Sequence, residues 1–532
     1  MDVVERAPAS RSWPYAACGL LAAAAGMAAG HLVAAFVNPG ASPVVAVGSA
    51  VVDSTPTPVK EWAVHTFGTA DKPVLLTGVS VVTVVAAIGI GLLARRRPTL
   101  GTVLLAVLAA LAGAAALTRP AALPQDLTPS VVAALVGIVT LAWLRRLAGA
   151  GPETAGAEPL TAGAEPPPAD GDPAPGLPTV TPSRRTFLAA GAGVAAGAVA
   201  AGAIGQQLGT PPTLPSSVTI PPPAEAIAPL PTGLEAKVKG LTPFRTPNDK
   251  FYRVDTALVI PRTDVADWHL EVRGQVDQPF TLSFEQLLAM PLVEKDITLN
   301  CVSNEVGGPY ISSTRFLGVR VSDLLRTARL QAGPDQILSE STDGMSISTP
   351  VEALTDDREA LVAVAMDGRP LPAAHGFPAR LVTPGLYGYV GSTKWLARLT
   401  ATTYAARQAY WTQRGWAART SIKTQSRIDT PDDNGSYPVG KLAVAGVAWA
   451  QGRGISRVEV QVDDGPWQRA TLGPDAGTDY WRQWYLVWGA TSGKHRVTVR
   501  ATDGNGDVQT AEPRDSFPSG ATGYHSIGVT VS

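Results

Sequence analysis

The apolar positions of this chain are distributed unevenly, and that distribution divides it. Five runs in the first 210 residues are long and apolar enough to cross a bilayer: Pro14–Val37, Val74–Ala94, Leu100–Leu117, Leu127–Leu144 and Phe187–Leu208. A span needs about 20 apolar residues. Beyond them the pattern changes to short alternating strands and short amphipathic helices. Trp268–Val276 alternates like a strand, Ser283 caps a helix with Gln286 at its third position, Val319–Arg329 reads as a helix and Pro378–Thr383 as a buried strand. After Thr420 only period-two runs remain: Leu442–Ala450, Ser456–Val462, Trp484–Trp488 and His495–Ala501, with a hairpin at Asp464-Gly465. The expected fold is an N-terminal bundle of five transmembrane helices, an α+β domain, and a C-terminal immunoglobulin-like β-sandwich.

Charge orients the spans. Arg6 and Arg11 precede the first, Arg95–Arg97 follow the second, Arg145–Arg146 follow the fourth and Arg184–Arg185 precede the fifth. Segments 38–73 and 118–126 carry few cations. The positive-inside rule then puts the N-terminus in the cytoplasm and everything after the fifth span outside. The expected location is the plasma membrane, multi-pass, with the large C-terminal part on the extracytoplasmic side. A net charge of −1 argues against a nucleic-acid partner.

The linkers are compositional. Residues 148–183 repeat TAGAEP, are acidic and rich in proline, and lack the apolar content to form a core, so disorder is expected there. Residues 209–232 form a proline-rich tether. The domain reading is therefore 1–147 for four spans, 148–183 for the cytoplasmic linker, 184–208 for the fifth span, 209–232 for the tether, 233–418 for the α+β domain and 419–532 for the β-sandwich. The fifth span opens with SRRTFL (Ser183–Leu188), which resembles the twin-arginine export signal, an address read by a receptor. That resemblance implies that the domain behind it is exported folded around a cofactor. Twin-arginine and Sec translocation machinery are the expected partners in biogenesis.

Only two cysteines occur in 532 residues. Cys18 lies in the first span and reads as packing. Cys301 sits in ITLNCVSNEVGGPY (Ile297–Tyr310), where a short β-like run opens into a loop with a Gly-Gly turn. A thiolate there could be a metal ligand, a nucleophile or, with its thiol buried, only structure. His31 and His65 offer no pair of facing histidines for haem, and no CxxCH segment occurs, so no haem is expected.

Several segments together resemble the sulfite oxidase family of molybdenum enzymes. They are NDKFYRVDT (Asn248–Thr256), TLNCVSN (Thr298–Asn304), PLPAAHGFPARLVTPGLYGYVGSTKWL (Pro370–Leu396) and, near the C-terminus, GVAWAQGRGISRVEVQVDDGPWQ (Gly446–Gln468), similar to the family's dimerisation domain. The likeness covers about residues 233–532. It implies a molybdenum–molybdopterin cofactor with Cys301 as the metal ligand. Catalytic roles fall to Cys301 and Arg253, and cofactor contacts to Asn248, Tyr252, Arg253, His375, Arg380, Ser392, Thr393 and Lys394. Arginine suits bidentate contacts to anionic oxygen. The activity implied is two-electron oxygen-atom transfer with a small-molecule oxo donor or acceptor, served by a separate redox partner, and with homodimerisation through the last domain.

The departures concern substrate. Val254 and Asp255 stand where sulfite-oxidising members have Asn and His, Glu305 and Val306 where they have arginines, Gly391 where they have an arginine and Gln413 near the active-site tyrosine, with Arg414 beside it. Cations have been lost and carboxylates gained, so sulfite is not the expected substrate. The alternatives are a sulfoxide-type reductase of the same fold, or an inactive extracellular binding or assembly module.

Overall fold

The computed structural model describes residues 12–149, 184–210 and 218–532. Most of the acidic linker, the paired TAGAEP repeats, Arg6, Arg11 and the first part of the tether lie outside the described residues. The chain divides into two compact units. One comprises residues 1–54 and 63–210, the other residues 55–62 and 211–532.

In the first unit, five helices among the described residues are long and apolar enough to cross a membrane: Trp13–Val37, Asp71–Arg96, Pro98–Leu117, Pro124–Gly149 and Arg185–Gly209. They match the runs expected from hydropathy. Trp13–Val37 is central, packing against Asp71–Arg96, Thr128–Gly149 and Arg184–Gly209. Small residues permit this. A Cβ on Gly19 would lie 2.0 Å from the backbone oxygen of Ala87, and one on Gly91 would lie 2.1 Å from that of Tyr15. Helices in lipid associate through such close backbone approach, because apolar side chains gain little by leaving lipid for protein. Cys18 is 1% exposed among Ala22, Ala87 and Leu141, a packing residue. Segment 38–73, read from sequence only as a charge-poor connection, contains the helices Pro43–Ser54 and Thr57–Phe67. The first is apolar but, at twelve residues, too short to span.

The second unit contains four sheets. Strand His269–Gly274 pairs in parallel with Leu396–Thr402, and Phe280–Ser283, Gln336–Ser341 and Ser346–Pro350 complete that sheet. Strands Val293–Asn300, Ile311–Arg320, Leu361–Met366 and Arg369–Pro370 form the next, and Arg380–Val382 pairs with Leu361–Met366. Short helices interrupt them. Phe284–Leu288 begins in a capping box, with Ser283 Oγ accepting from Gln286 N at 3.2 Å and Gln286 Oε1 accepting from Ser283 N at 2.8 Å. The class is α+β, as expected. The helix foreseen over Val319–Arg329 is Val321–Thr327, because its first residues continue a ten-residue strand.

After Thr420, two further sheets share one core. Ile428, Val444, Trp484 and Trp488 of one face Val458, Val460, Val497, Val499 and Ile527 of the other. Strands Gly440–Trp449, Ile455–Val462, Arg482–Ala490 and Gly493–Asp503 each enclose one of the runs expected there, except that Leu442–Ala450 runs one residue past the end of its strand. This region is not separate from the α+β part. Phe244, Val302, Ile311 and Tyr387 share an apolar cluster with Trp416, Val447, Trp449, Tyr480 and Trp481.

Candidate functional site

Cys301 stands one residue beyond the strand Val293–Asn300, whose last rung pairs Asn300 with Ile311. The loop that follows is closed by its own backbone. Cys301 N donates to Tyr310 O at 3.0 Å, Asn304 N to Cys301 O at 3.1 Å, and Tyr310 N to Asn304 Oδ1 at 2.7 Å. The thiol is thus held at the end of a rigid strand rather than on a free loop. Burial pushes its pKa up, while hydrogen bonding at Ser303 and the charge of Lys394 pull the other way.

Three segments converge around it. His375 and Arg380 flank the left-handed turn at Gly376, and Ser392–Lys394 returns alongside. Arg380 is 6% exposed. Its Nη1 donates to His375 O at 3.1 Å and its Nη2 to Ser392 Oγ at 2.8 Å, while Nε has no hydrogen-bond partner among the described residues. His375 Nε2 lies 3.0 Å from Asn248 O. Asn248 Nδ2 donates to Met366 O at 3.2 Å, and Asn248 Oδ1 is buried without a partner among the described residues. Tyr252 stacks on Phe251 with centroids 5.6 Å apart, and its backbone N–H donates to Ser312 Oγ at 3.2 Å. Burial, and then the neighbouring Cys301, raises the Tyr252 phenol. The residues expected from sequence to contact a cofactor lie together here, the Thr393 hydroxyl being engaged with Ser339 Oγ at 2.6 Å.

The cluster has a surplus of positive charge. Arg253, Arg380 and Lys394 are opposed by Asp255, which leaves a surplus of two. Asp255 accepts from Arg253 Nε at 2.8 Å and from Lys394 Nζ at 2.5 Å. Burial is the main reason that Lys394 is pushed down to about 8 and Arg380 down to about 10, in each case partly offset by a neighbour. His375 is pushed down to about 4 by burial, then by the charges of Arg380 and Lys394, so it is neutral at pH 7. Buried cations without counter-charge are unfavourable, so such a site is stabilised by an anion. Backbone clearance supports the same reading. Gly376 has φ +109°, and a Cβ there would lie 3.0 Å from Lys394 Cα and 3.1 Å from Arg380 Cβ.

The residues present suit a molybdopterin. That group offers a terminal phosphate to cations, a polar ring edge to the orphaned Asn248 Oδ1 and Arg380 Nε, and a metal to one soft thiolate. Sequence reasoning missed the role of Asp255, noting it only as a departure. Its link to Lys394 spans 139 positions and had no local signature. Arg414, read as a charge that could replace a lost one, lies over the Tyr410 ring at 3.5 Å and donates to Tyr410 O at 3.0 Å.

Residues 257–411 match the family model described as an oxidoreductase molybdopterin binding domain. The human mitochondrial sulfite oxidase is 29% identical over 316 residues, covering 50% of this chain and 57% of the relative. The mouse protein is 28% identical over 315 residues, with the same coverage. An inducible NADH nitrate reductase of Glycine max is 27% identical over 310 residues, covering 46% of this chain and 34% of that one. Among solved structures, the sulfane dehydrogenase SoxCD from Paracoccus pantotrophus aligns with a TM-score of 0.48 and 23% identity, covering 54% of this chain and 81% of its own. The chain spans little more than half the length of the curated sulfite oxidases it matches. With the thiol, the buried cations and the orphaned polar atoms in place, the chain carries an oxidoreductase molybdopterin binding domain and is similar to the sulfite oxidases over about half its length.

Proposed function

We propose that this chain carries out two-electron oxygen-atom transfer on a small substrate other than sulfite, with Cys301 as the protein ligand to molybdenum. The observation that carries the reading is the convergence of Arg380, Lys394 and neutral His375 beside the strand-end thiol of Cys301. When bound, the cofactor supplies the redox chemistry.

The chain's own residues do the rest. Arg380, fixed by His375 O and Ser392 Oγ, keeps Nε available to an anionic or polar-edge oxygen. His375, held neutral, presents imidazole rather than imidazolium, and its Nε2 contact to Asn248 O fixes the ring. Asn248 offers Oδ1 as an acceptor. Tyr252 contributes a buried ring stacked on Phe251. Ser392 and Lys394 flank the site from the return segment, with Ser392 Oγ accepting from Arg380 Nη2, while the Thr393 hydroxyl is engaged with Ser339 Oγ. Arg253 is the most open of the three cations, with its side chain 32% exposed, and would be the one to meet substrate.

The fifth long helix begins at the paired arginines, which supports export by the twin-arginine route and an extracytoplasmic catalytic part. The two C-terminal sheets around one core support an immunoglobulin-like module serving dimerisation. Electrons pass to or from a separate redox partner. The test is purification of the full chain in detergent from a host that supplies the cofactor, followed by metal analysis and fluorescence of the oxidised pterin. Stoichiometric molybdenum in the wild type, with loss of turnover in Cys301→Ser, is expected. A full chain that carries neither metal nor pterin overturns the proposal.

A further inference from the structure

The carboxylate between two of the site's cations has a consequence for what can bind. Asp255 is 7% exposed in its side chain and Lys394 12%. One carboxylate oxygen, Oδ2, meets both Lys394 Nζ and Arg253 Nε, and the other, Oδ1, lies 3.3 Å from Arg253 Nη2. Arg253 therefore spends one edge of its guanidinium, Nε and Nη2, on an internal carboxylate. That is the bidentate geometry an oxyanion would otherwise use. An incoming dianion would have to displace Asp255 or sit beside its negative charge, and like charges at such separations repel strongly where water is excluded. An uncharged oxo compound meets neither obstacle. Its polarised oxygen can accept from Arg253 Nη1, which has no hydrogen-bond partner among the described residues.

We infer that Asp255 determines specificity, closing the substrate pocket to oxyanions and leaving it to uncharged, polar oxo compounds. This rests on the molybdopterin reading above, which fills the remaining cations with cofactor. Asp255 does not touch the reacting atoms; it acts through Arg253 and Lys394.

The test measures binding, not turnover. The full chain, loaded with cofactor and in detergent, is titrated with sodium sulfate by calorimetry, and molybdenum is measured on each sample. Wild type is expected to bind sulfate more weakly than about 1 mM. Asp255→Asn, which keeps an acceptor but removes the charge, is expected to tighten sulfate binding by about tenfold or more, an effect weakened by added salt. Asp255→Glu should behave as wild type. Equal sulfate affinity in wild type and Asp255→Asn, both loaded, overturns the inference. So does submillimolar sulfate binding by loaded wild type, an outcome that does not depend on any variant folding. Absence of molybdenum from the wild type overturns the cofactor reading instead, so the two failures are distinguishable.

Discussion

The hydroxyl of Thr298 accepts a hydrogen bond from the backbone N–H of Trp481 at 2.8 Å, across 183 positions of chain. Thr298 lies three residues before Cys301, on the strand that presents the thiol. Its backbone is held as well: Thr298 N donates to Asp479 O at 2.9 Å, and Thr298 O accepts from Gln451 Nε2 at 3.1 Å. Close by, Phe244 O accepts from both Tyr480 Oη at 3.0 Å and Trp481 Nε1 at 2.8 Å. The C-terminal region thus braces the strand that positions the candidate metal ligand.

Thr298→Val keeps the shape of that side chain and removes its oxygen. Both Trp481 N and the hydroxyl of Ser313 then lose a buried partner. An unsatisfied buried donor costs about 1–3 kcal/mol. Thermal unfolding in detergent, followed by tryptophan fluorescence, is expected to show a lower midpoint for this variant, with Trp481 reporting directly. An unchanged midpoint would mean that the brace contributes nothing.

Arg380 makes a demand that lysine cannot meet. Its guanidinium reaches His375 O and Ser392 Oγ together, and the ring of Phe316 lies 5.8 Å from its centre. Lysine has a point charge and no planar fork, so it can satisfy one acceptor at most at that reach. Arg380→Lys is expected to fold and yet to retain about tenfold less molybdenum and pterin after purification, since one lost charged hydrogen bond is worth about 1.5–3 kcal/mol. Full retention of cofactor would remove Arg380 from the binding set.

His375 gives the pH dependence of the cofactor-free protein. Its folded pKa of about 4 lies below the ordinary value of 6.5. Between those values the unfolded chain binds a proton that the folded chain does not. Stability is therefore full above pH 6.5 and falls as pH drops toward 4, by about 3 kcal/mol from this group alone. Denaturant midpoints at pH 7 and pH 5 check the sign, with His375→Gln expected to lose most of the difference attributable to this residue. A wild type more stable at pH 5 than at pH 7 would contradict it.

The sequence exposed the parts of the fold that depend on local pattern. Span lengths follow from hydropathy, and the helix at Phe284 follows from Ser283 and Gln286, three residues apart. The strand at Arg380 follows from a short apolar run. The candidate site residues that the fold brings together were legible where they sit in dense motifs, as around His375 and Lys394. What stayed hidden depends on contacts between distant segments. Asp255 looks like any surface carboxylate until Lys394 is brought against it. Thr298 looks like a strand residue until Trp481 arrives. The helices Pro43–Ser54 and Thr57–Phe67 were missed because neither is long enough to register as a span.

The membrane unit offers a test of its own, within one helix. Gly89 and Gly91 both lie in Asp71–Arg96, two positions apart. Gly91 is buried where Tyr15 O would lie 2.1 Å from an added Cβ, whereas Gly89 is exposed with nothing within 4 Å. Helix propensity predicts a gain from replacing either glycine by alanine, of about 1 kcal/mol. Packing opposes that gain only at Gly91, because the atom in the way is backbone on Trp13–Val37 and neither helix can yield without separating. Gly91→Ala is therefore expected to lower the midpoint of helix loss on heating in detergent, measured by circular dichroism, while Gly89→Ala raises it or leaves it unchanged. Equal effects at the two positions would show that the approach of these helices is not set by their glycines.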